Sequence, residues 1–192
     1  MKTRLMILPL LVAFAFTLCI PEVAASFQAR DHLTPEEVEL VKDTQILDKR
    51  IDVFIKAADR RLMVLTGTGG THAKELKKDA EKWGELPVGT PAELISDIAR
   101  IFDEAITNID DVSSRDEKNP LIGKSLRKLA AAATRIVEQS KPFAAASRDG
   151  SEASSLDQLI ENAEAIVQAA SKLPPEIAKK GKIKGEKSKD SN

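Results

Sequence analysis

Apolar side chains recur along most of the chain at alternating steps of three and four residues, the period of an amphipathic α-helix. Thr34 and Pro35 supply an N-cap and a proline at the first helical position, and Glu37 completes a capping box. From there the apolar stripe continues to Leu65, with Arg61 as its one break. This pattern predicts a single helix of about 32 residues, a rod of roughly 50 Å.

Glycine and proline divide the rest of the chain into further helical stretches. Glycines within 67–70 end the first helix, and a short amphipathic stripe that closes on Trp83 predicts a modest helix after them. The Thr-Pro start signal recurs at Thr90, and Pro120 opens the next helix. The last stripe ends before a pair of prolines at 174–175. The chain therefore contains four long helical stretches and one short one.

Pro142 lies within the stripe that follows Pro120. A proline inside a helix removes a backbone donor, and its ring clashes with the preceding turn. The sequence therefore predicts either a kink in this helix or a break near Lys141, and both alternatives stay open.

The predicted fold class is all-α, because no period-two alternation typical of strands is present. Four amphipathic helices with short connections bury their stripes most simply as an antiparallel four-helix bundle, here with an extra short helix. Trp83 is predicted to pack against one end of this bundle. The predicted core contains Leu47, Ile51, Phe54, Ile98, Ile101, Ile109, Leu126, Leu129, Leu159 and Ile166.

Residues 1–25 have the three parts of a secretory signal peptide. Two cations, Lys2 and Arg4, precede an uncharged apolar run, and small residues follow it. The small residues place the predicted cleavage site between Ala25 and Ser26.

Two membrane-attached alternatives are weaker than cleavage. The uncharged run has about 16 residues and contains Pro9, whereas a spanning helix needs roughly 17 to 25. A lipoprotein cut before Cys19 would need a small residue in front of it, and Leu18 stands there. Cleavage removes the only cysteine, so thiol chemistry is disfavoured. Kinase and NTPase chemistry are disfavoured as well, because no ATP pool is present outside the cytoplasm. A periplasmic or secreted bacterial protein is predicted.

Charge divides the predicted exported chain into a helical domain at 26–173 and a Lys-rich tail at 174–192. From residue 172 onward seven lysines stand beside three acids, with few apolar side chains, so the tail is predicted to be disordered. Such a tail can bind an acidic polymer, for example lipopolysaccharide or teichoic acid, or an unknown protein partner. A solvated tail without a partner is the more common case, and no specific nucleic-acid binding is predicted.

Candidate chemistry is sparse. His32 and His72 are the only histidines; neither lies in a metal-ligand pattern, and both lack the Glu-x-x-His spacing of di-iron bundles. The stretch 67–71 lacks the spacing of a phosphate-binding loop and follows a helix instead of a strand. No catalytic, cofactor-binding or metal-binding residue is predicted.

Two charged groups have a functional and an ordinary interpretation. An acidic group on the second long helix offers oxygen ligands for Ca²⁺ or Mg²⁺, but a hydrated helix face is favoured. The stretch 59–61, Asp-Arg-Arg, could clamp a ligand, but ordinary surface charge paired along the helix is favoured. The acidic group consists of Asp103, Glu104, Asp110 and Asp111.

Three segments resemble those of uncharacterised secreted helical proteins of bacterial genomes. They are Leu47–Lys56, Trp83–Thr90 and Ala105–Val112, and the resemblance covers roughly residues 33 to 140. It implies only an exported compartment and a helical fold, because no activity, ligand or catalytic residue comes with it.

The sequence thus predicts an exported, non-catalytic helical-bundle protein with an interaction or structural role in the cell envelope, and not an enzyme. The alternative is a periplasmic carrier for a small ligand, lipid or metal. Polar groups on the inward-facing stripes would distinguish a carrier, and these stripes consist almost wholly of Leu, Ile, Val, Ala and Phe.

Overall fold

The computed structural model describes residues 30–144 and 150–175, and α-helix dominates both ranges. These ranges contain a 3-10 turn at Thr68–Gly70 and no strand, so the all-α class is confirmed. Within them, no helix is long and apolar enough to cross a bilayer. The helices are α1 (Pro35–Asp43), α2 (Leu47–Leu65), α3 (Ala73–Trp83), α4 (Pro91–Arg115), α5 (Pro120–Ala144) and α6 (Ser151–Ser171).

Both Thr-Pro-x-Glu signals start a helix with a complete capping box. At α1, Glu37 N–H donates to Thr34 Oγ1 at 3.3 Å, and Thr34 N–H donates to Glu37 Oε2 at 3.0 Å. At α4 the corresponding distances between Thr90 and Glu93 are 3.3 and 2.7 Å. Each box satisfies two backbone N–H donors that a bare helix start leaves unpaired.

The prediction of a single rod from Thr34 to Leu65 is wrong. The chain leaves the helix at Thr44, whose N–H and Oγ1 both donate to the carbonyl oxygen of Leu40, and it is extended at Thr44 and Ile46 before α2 begins. The break lets α1 fold back along α2. Glu37 and Arg61, 24 residues apart, would be about 36 Å apart in one straight helix, yet their side chains form an ion pair.

Pro142 does not end the third long helix at Lys141. α5 continues through Pro142 to Ala144, and Phe143 still packs against the core. A proline two residues from a helix end removes only one hydrogen bond near that end, so the cost is smaller than in a helix centre.

The core predicted from the apolar stripes is confirmed. Nine of its ten residues are buried, and Leu126 is partly buried against the same cluster. Trp83 is 5% exposed, as expected for a side chain that closes an apolar stripe. The described residues from Asp31 onward belong to one compact unit.

The directions of α2, α4 and α5 follow from three sets of side-chain pairs. Between α2 and α5, three ion pairs join residues 76 positions apart, so these two helices run parallel; the pairs are Asp48–Lys124, Asp52–Lys128 and Asp59–Arg135. Between α2 and α4, Arg50 contacts Asn108 whereas Arg61 approaches Asp97, so these two run antiparallel. The first and third long helices, α2 and α5, are therefore parallel neighbours.

Helix α6 packs against α4 and α5 and not against α2, among the helices described. Asn162 on α6 donates to the carbonyl oxygen of Ala99 on α4 at 2.9 Å. Beyond α6, the carbonyl oxygen of Pro174 accepts a hydrogen bond from Arg127 near the start of α5. α6 thus lies on the side of the core opposite α2 and presents its other face to solvent.

We expect Ile101→Asp to destabilise the fold by about 3 kcal/mol or more, because Ile101 is fully buried and the new carboxylate would have no cation to pair with. Asp103→Ala, on the exposed face of the same helix, should cost less than about 0.5 kcal/mol. Urea unfolding followed by circular dichroism measures both. Equal midpoints for the two variants would contradict this assignment of the buried face.

We call the row of ion pairs between α2 and α5 the α2–α5 seam. The contribution of Asp48 to the stability of this seam should depend on pH in the acid range. The hydrogen bond from Lys124 lowers the pKa of the Asp48 carboxyl below its ordinary value, and burial opposes the shift. Because the folded-state pKa is the lower one, this contribution to stability is complete above the unfolded pKa of about 4 and disappears as pH falls through the folded value.

Asp48→Asn should therefore lower the melting temperature at pH 7, and the difference from the parent should shrink below about pH 4. Thermal melts between pH 7 and pH 3 measure this, with Asp43→Asn as an exposed control on α1. A difference that stays constant over this range would show that the carboxylate charge is not what stabilises the seam.

Candidate functional site

A cluster of charged side chains lies in the interior, where the sequence predicts only apolar ones. Glu37 of α1 is 0% exposed, and the consecutive α2 residues Arg60 and Arg61 are 2% and 1% exposed. We call these three residues the buried charge cluster. Isolated charges at this depth would be strongly unfavourable, so the partners of each one determine what the cluster can do.

Arg61 binds the carboxylate of Glu37 through both of its terminal nitrogens. Nη1 donates to Oε1 at 2.8 Å, and Nη2 lies 2.7 Å from Oε2, the two-pronged geometry that suits guanidinium and carboxylate. The same nitrogens also donate to the carbonyl oxygens of Ala57 and His32 at 2.8 and 2.6 Å. Arg61 therefore fixes α1 and the segment before it onto α2.

Among the fully buried side-chain atoms described in the cluster, Arg61 Nε is the one without a hydrogen-bond partner. It is buried without a hydrogen-bond partner and lies 4.0 Å from an Asp97 carboxylate oxygen on α4. This separation is too long for a hydrogen bond but keeps a negative charge beside the guanidinium. The cluster is thus extended electrostatically to α4.

Arg60 joins the cluster to the end of α3. Its Nε donates to Glu37 Oε1 at 3.2 Å, and Nη2 donates to the carbonyl oxygens of Trp83, Gly84 and Glu85, the first two at 3.0 and 3.2 Å. Burial lowers the pKa of the Arg60 guanidinium, and the charge of Glu37 opposes that shift. One side chain therefore satisfies three carbonyl oxygens at and after the C-terminus of α3, a helix end that commonly lacks partners.

Trp83 is positioned by cations as well as by burial. The Nζ of Lys56 lies 4.6 Å from the centre of the indole ring, and the guanidinium carbon of Arg60 lies 5.7 Å from it. Lys56 also pairs with Asp79 on α3, and that hydrogen bond lowers the pKa of the Asp79 carboxyl. These contacts support the predicted structural role for Trp83.

Gly84 permits the close approach of α1 to the end of α3. Its φ of 64° lies in the left-handed region, and an added Cβ would lie 2.8 Å from Glu36 Cδ. No larger residue fits there without moving the side chain of Glu36, so the glycine keeps the cluster compact.

The interpretation of Arg60 and Arg61 as ordinary surface charge is wrong. Their carboxylate partner is Glu37, which is distant in sequence, and they are among the largest fully buried side chains described. The one sequence signal for this burial is the position of Arg61 on the apolar stripe, because a side chain at that position faces the core even when it is charged.

The two histidines each pair with a glutamate. His32 Nε2 lies 2.7 Å from Glu104 Oε2 beside a cavity of about 230 Å³, and His72 Nδ1 lies 3.2 Å from Glu75 Oε2 on an exposed surface. Glu104 is therefore partly buried in a pair, not a member of a hydrated acidic face. Asp111, in contrast, is exposed and pairs only locally with Arg115 at 3.3 Å.

A metal centre finds no support in the described ranges, since no three His, Cys, Asp or Glu side chains lie close enough together there to hold an ion. The stretch around 67–70 forms the 3-10 turn and borders a second cavity of about 440 Å³ with a mixed polar lining that includes Thr66, Thr68, His72 and Arg135. In this lining Arg135 is already paired with Asp59 at 2.7 Å.

A cavity of about 570 Å³ is an open groove between α5 and α6. We call it the α5–α6 groove. Its floor is aliphatic and its edges carry charges. It is lined by Thr134, Val137, Glu138, Lys141, Ile160, Ala163, Glu164, Val167, Gln168 and Ser171.

The predicted signal peptide, its cleavage site at Ala25 and Ser26, and all of the predicted tail beyond residue 175 lie outside the described residues. Comparisons with protein-family models, with curated proteins and with solved structures gave no match.

We expect Glu37→Gln to cost about 3 to 5 kcal/mol, because it removes the carboxylate that accepts hydrogen bonds from both buried guanidinium groups, and the Asp97 carboxylate, 4.0 Å from Arg61 Nε, is too far to replace it. Glutamine can still complete a capping box, so the loss reports on the charge and not on the helix start. Glu93→Gln makes the same change in the exposed box of α4 and should cost far less. Chemical denaturation of both variants decides this, and similar losses would contradict a special role for the cluster.

Proposed function

We propose that this chain is an exported, non-catalytic protein whose four-helix core, formed by α2, α4, α5 and α6, is a rigid scaffold for interactions in the bacterial cell envelope. The observation that carries the proposal is the internal pairing of the buried charge cluster. The three charged side chains of this cluster are the groups best suited to catalysis, but they hold α1, α2 and the end of α3 together.

Catalysis needs polar groups that can reach a substrate while water is excluded. The carboxylate of Glu37 accepts hydrogen bonds from both arginines and from the backbone of Thr34, and all three side chains of the cluster are at most 2% exposed. A proton or substrate could reach them only if α1 moved away from α2. This arrangement supports a structural role for the cluster.

Export is supported by the sequence alone. The cationic start, the apolar run and the small residues before Ser26 are the pattern that the secretion machinery recognises. The domain that would be released has no cysteine, so it folds without disulfides, and its core of aliphatic side chains is sufficient for a domain of this size.

A carrier of a small apolar ligand is the second candidate, and the α5–α6 groove favours it. A volume of about 570 Å³ with an aliphatic floor lies within the range of ligand sites. The groove is open along the surface, however, and offers few converging polar groups to orient a small ligand. An extended or helical segment suits such a shape better.

Expression in a bacterial host should give a protein in the periplasm or medium that begins at Ser26, because Ala25 ends the only small-residue site after the apolar run. N-terminal sequencing of the purified protein measures this. Ala25→Arg should block cleavage and leave the precursor in the membrane fraction. Recovery of soluble protein that still begins with Met1 would defeat the export proposal.

Native mass spectrometry of the same preparation separates scaffold from carrier. The scaffold proposal expects a mass equal to that of residues 26–192, whereas a carrier would retain a molecule that is lost on unfolding. If a small molecule survives purification and Val167→Asp in the groove releases it, the scaffold proposal is wrong and the carrier proposal takes its place.

A further inference from the structure

The α5–α6 groove has a floor that is left open to solvent. Val167 is 41% exposed, although the α-helical period places it beside the buried positions Ala163 and Ile166. Val137 and Ile160 complete the aliphatic floor from the two sides. An exposed aliphatic surface within a concave site is typical of a surface that another segment covers.

The lining of the groove also carries a net negative charge. α6 contains four acidic residues and no basic one between Ser151 and Ser171. At the groove itself the edges carry Glu138 and Glu164, and the one lysine in the lining, Lys141, pairs with Glu138 at 2.6 Å. A segment that fits the groove should therefore combine aliphatic side chains with positive charge.

Residues 176–192 of this same chain have that composition. They contain two isoleucines, Ile177 and Ile183, and three acids. In an extended backbone, residues six positions apart point to the same side, about 20 Å from each other, so both isoleucines can face one surface. The positive charge comes from Lys179, Lys180, Lys182, Lys184, Lys187 and Lys189.

The end of α6 brings this segment to the groove. Ser171 lines the groove, the carbonyl oxygen of Pro174 accepts a hydrogen bond from Arg127, and a Cβ at Gly123 would lie 3.8 Å from Leu173 Cδ1. The chain is thus still held against α5 one residue before the last described one. The groove spans α6 from Ile160 to Ser171, about 16 Å, and an extended segment of this length reaches about 55 Å.

We infer that residues 176–192 fold back over the α5–α6 groove, with the isoleucines on its aliphatic floor and the lysines beside the acids of α6. The groove then has an occupant within the chain. This inference does not depend on the scaffold proposal, because a carrier could be covered in the same way.

The absence of cysteine from residues 26–192 allows a direct test on the full exported chain. A single Ser188→Cys substitution carries a nitroxide label, and NMR of the ¹⁵N-labelled protein reports which amides lie near it. At low salt we expect the amides of Val137, Ala163 and Val167 to lose most of their intensity. Those of α3 should keep it.

Two variants and salt distinguish specific docking from chance encounter. Glu164→Lys should restore the groove intensities, and so should Ile183→Ser, which leaves the helical domain untouched; Glu81→Lys on α3 should not. Raising the salt from about 0.05 M to 0.5 M should weaken the effect, because it shortens the Debye length to a few Å.

Three outcomes would overturn the inference. The groove amides could keep their intensity in the parent chain, or both Glu164→Lys and Ile183→Ser could leave the losses unchanged. Mixing nitroxide-labelled ¹⁴N chain with unlabelled ¹⁵N chain could also reproduce the losses, and the occupant would then be the tail of a second copy.

Discussion

The burial of one carboxylate, that of Glu37, determines the arrangement of half of the domain. A lone carboxylate at this depth would cost several kcal/mol, so the fold must bring cations to it. Arg61 supplies a two-pronged partner and Arg60 a second one. To place Glu37 there, the chain must leave the helix at Thr44 and reverse, and the same two arginines then hold the carbonyl oxygens of His32 and of residues 83–85.

The other half of the domain is held by an extended seam. Ion pairs between residues 76 positions apart run along α2 and α5, and α6 packs on the side of the core opposite α2. α6 is therefore free to be specialised on its outer face, which carries acids and no bases. The groove that it forms with α5 is the surface through which the proposed scaffold would interact.

These features connect the proposed function with the two ends of the chain. The sequence pattern of residues 1–25 predicts export to a compartment where acidic polymers are abundant, and the lysines after residue 175 suit such polymers. The inferred contact between these lysines and the groove would pair the positive charge after residue 175 with the acids of α6. The buried charge cluster, at the opposite side of the core from α6, would keep the domain rigid.

Helix class, the starts of α1, α4 and α5, and most of the core could be predicted from sequence, because these depend on local rules. The capping boxes at Thr34 and Thr90 need only residues three positions apart, and burial of Ile101 or Leu159 follows from a period of 3.6. The partner of Arg61 could not be predicted, because Glu37 lies 24 residues away and reaches it only after the helix breaks. In the same way, an apolar stripe specifies that a helix is buried but not which helix covers it. Only the tertiary structure decided that α5 packs directly against α2, because that choice of neighbour rests on long-range pairs such as Asp52 with Lys128, which no local pattern encodes.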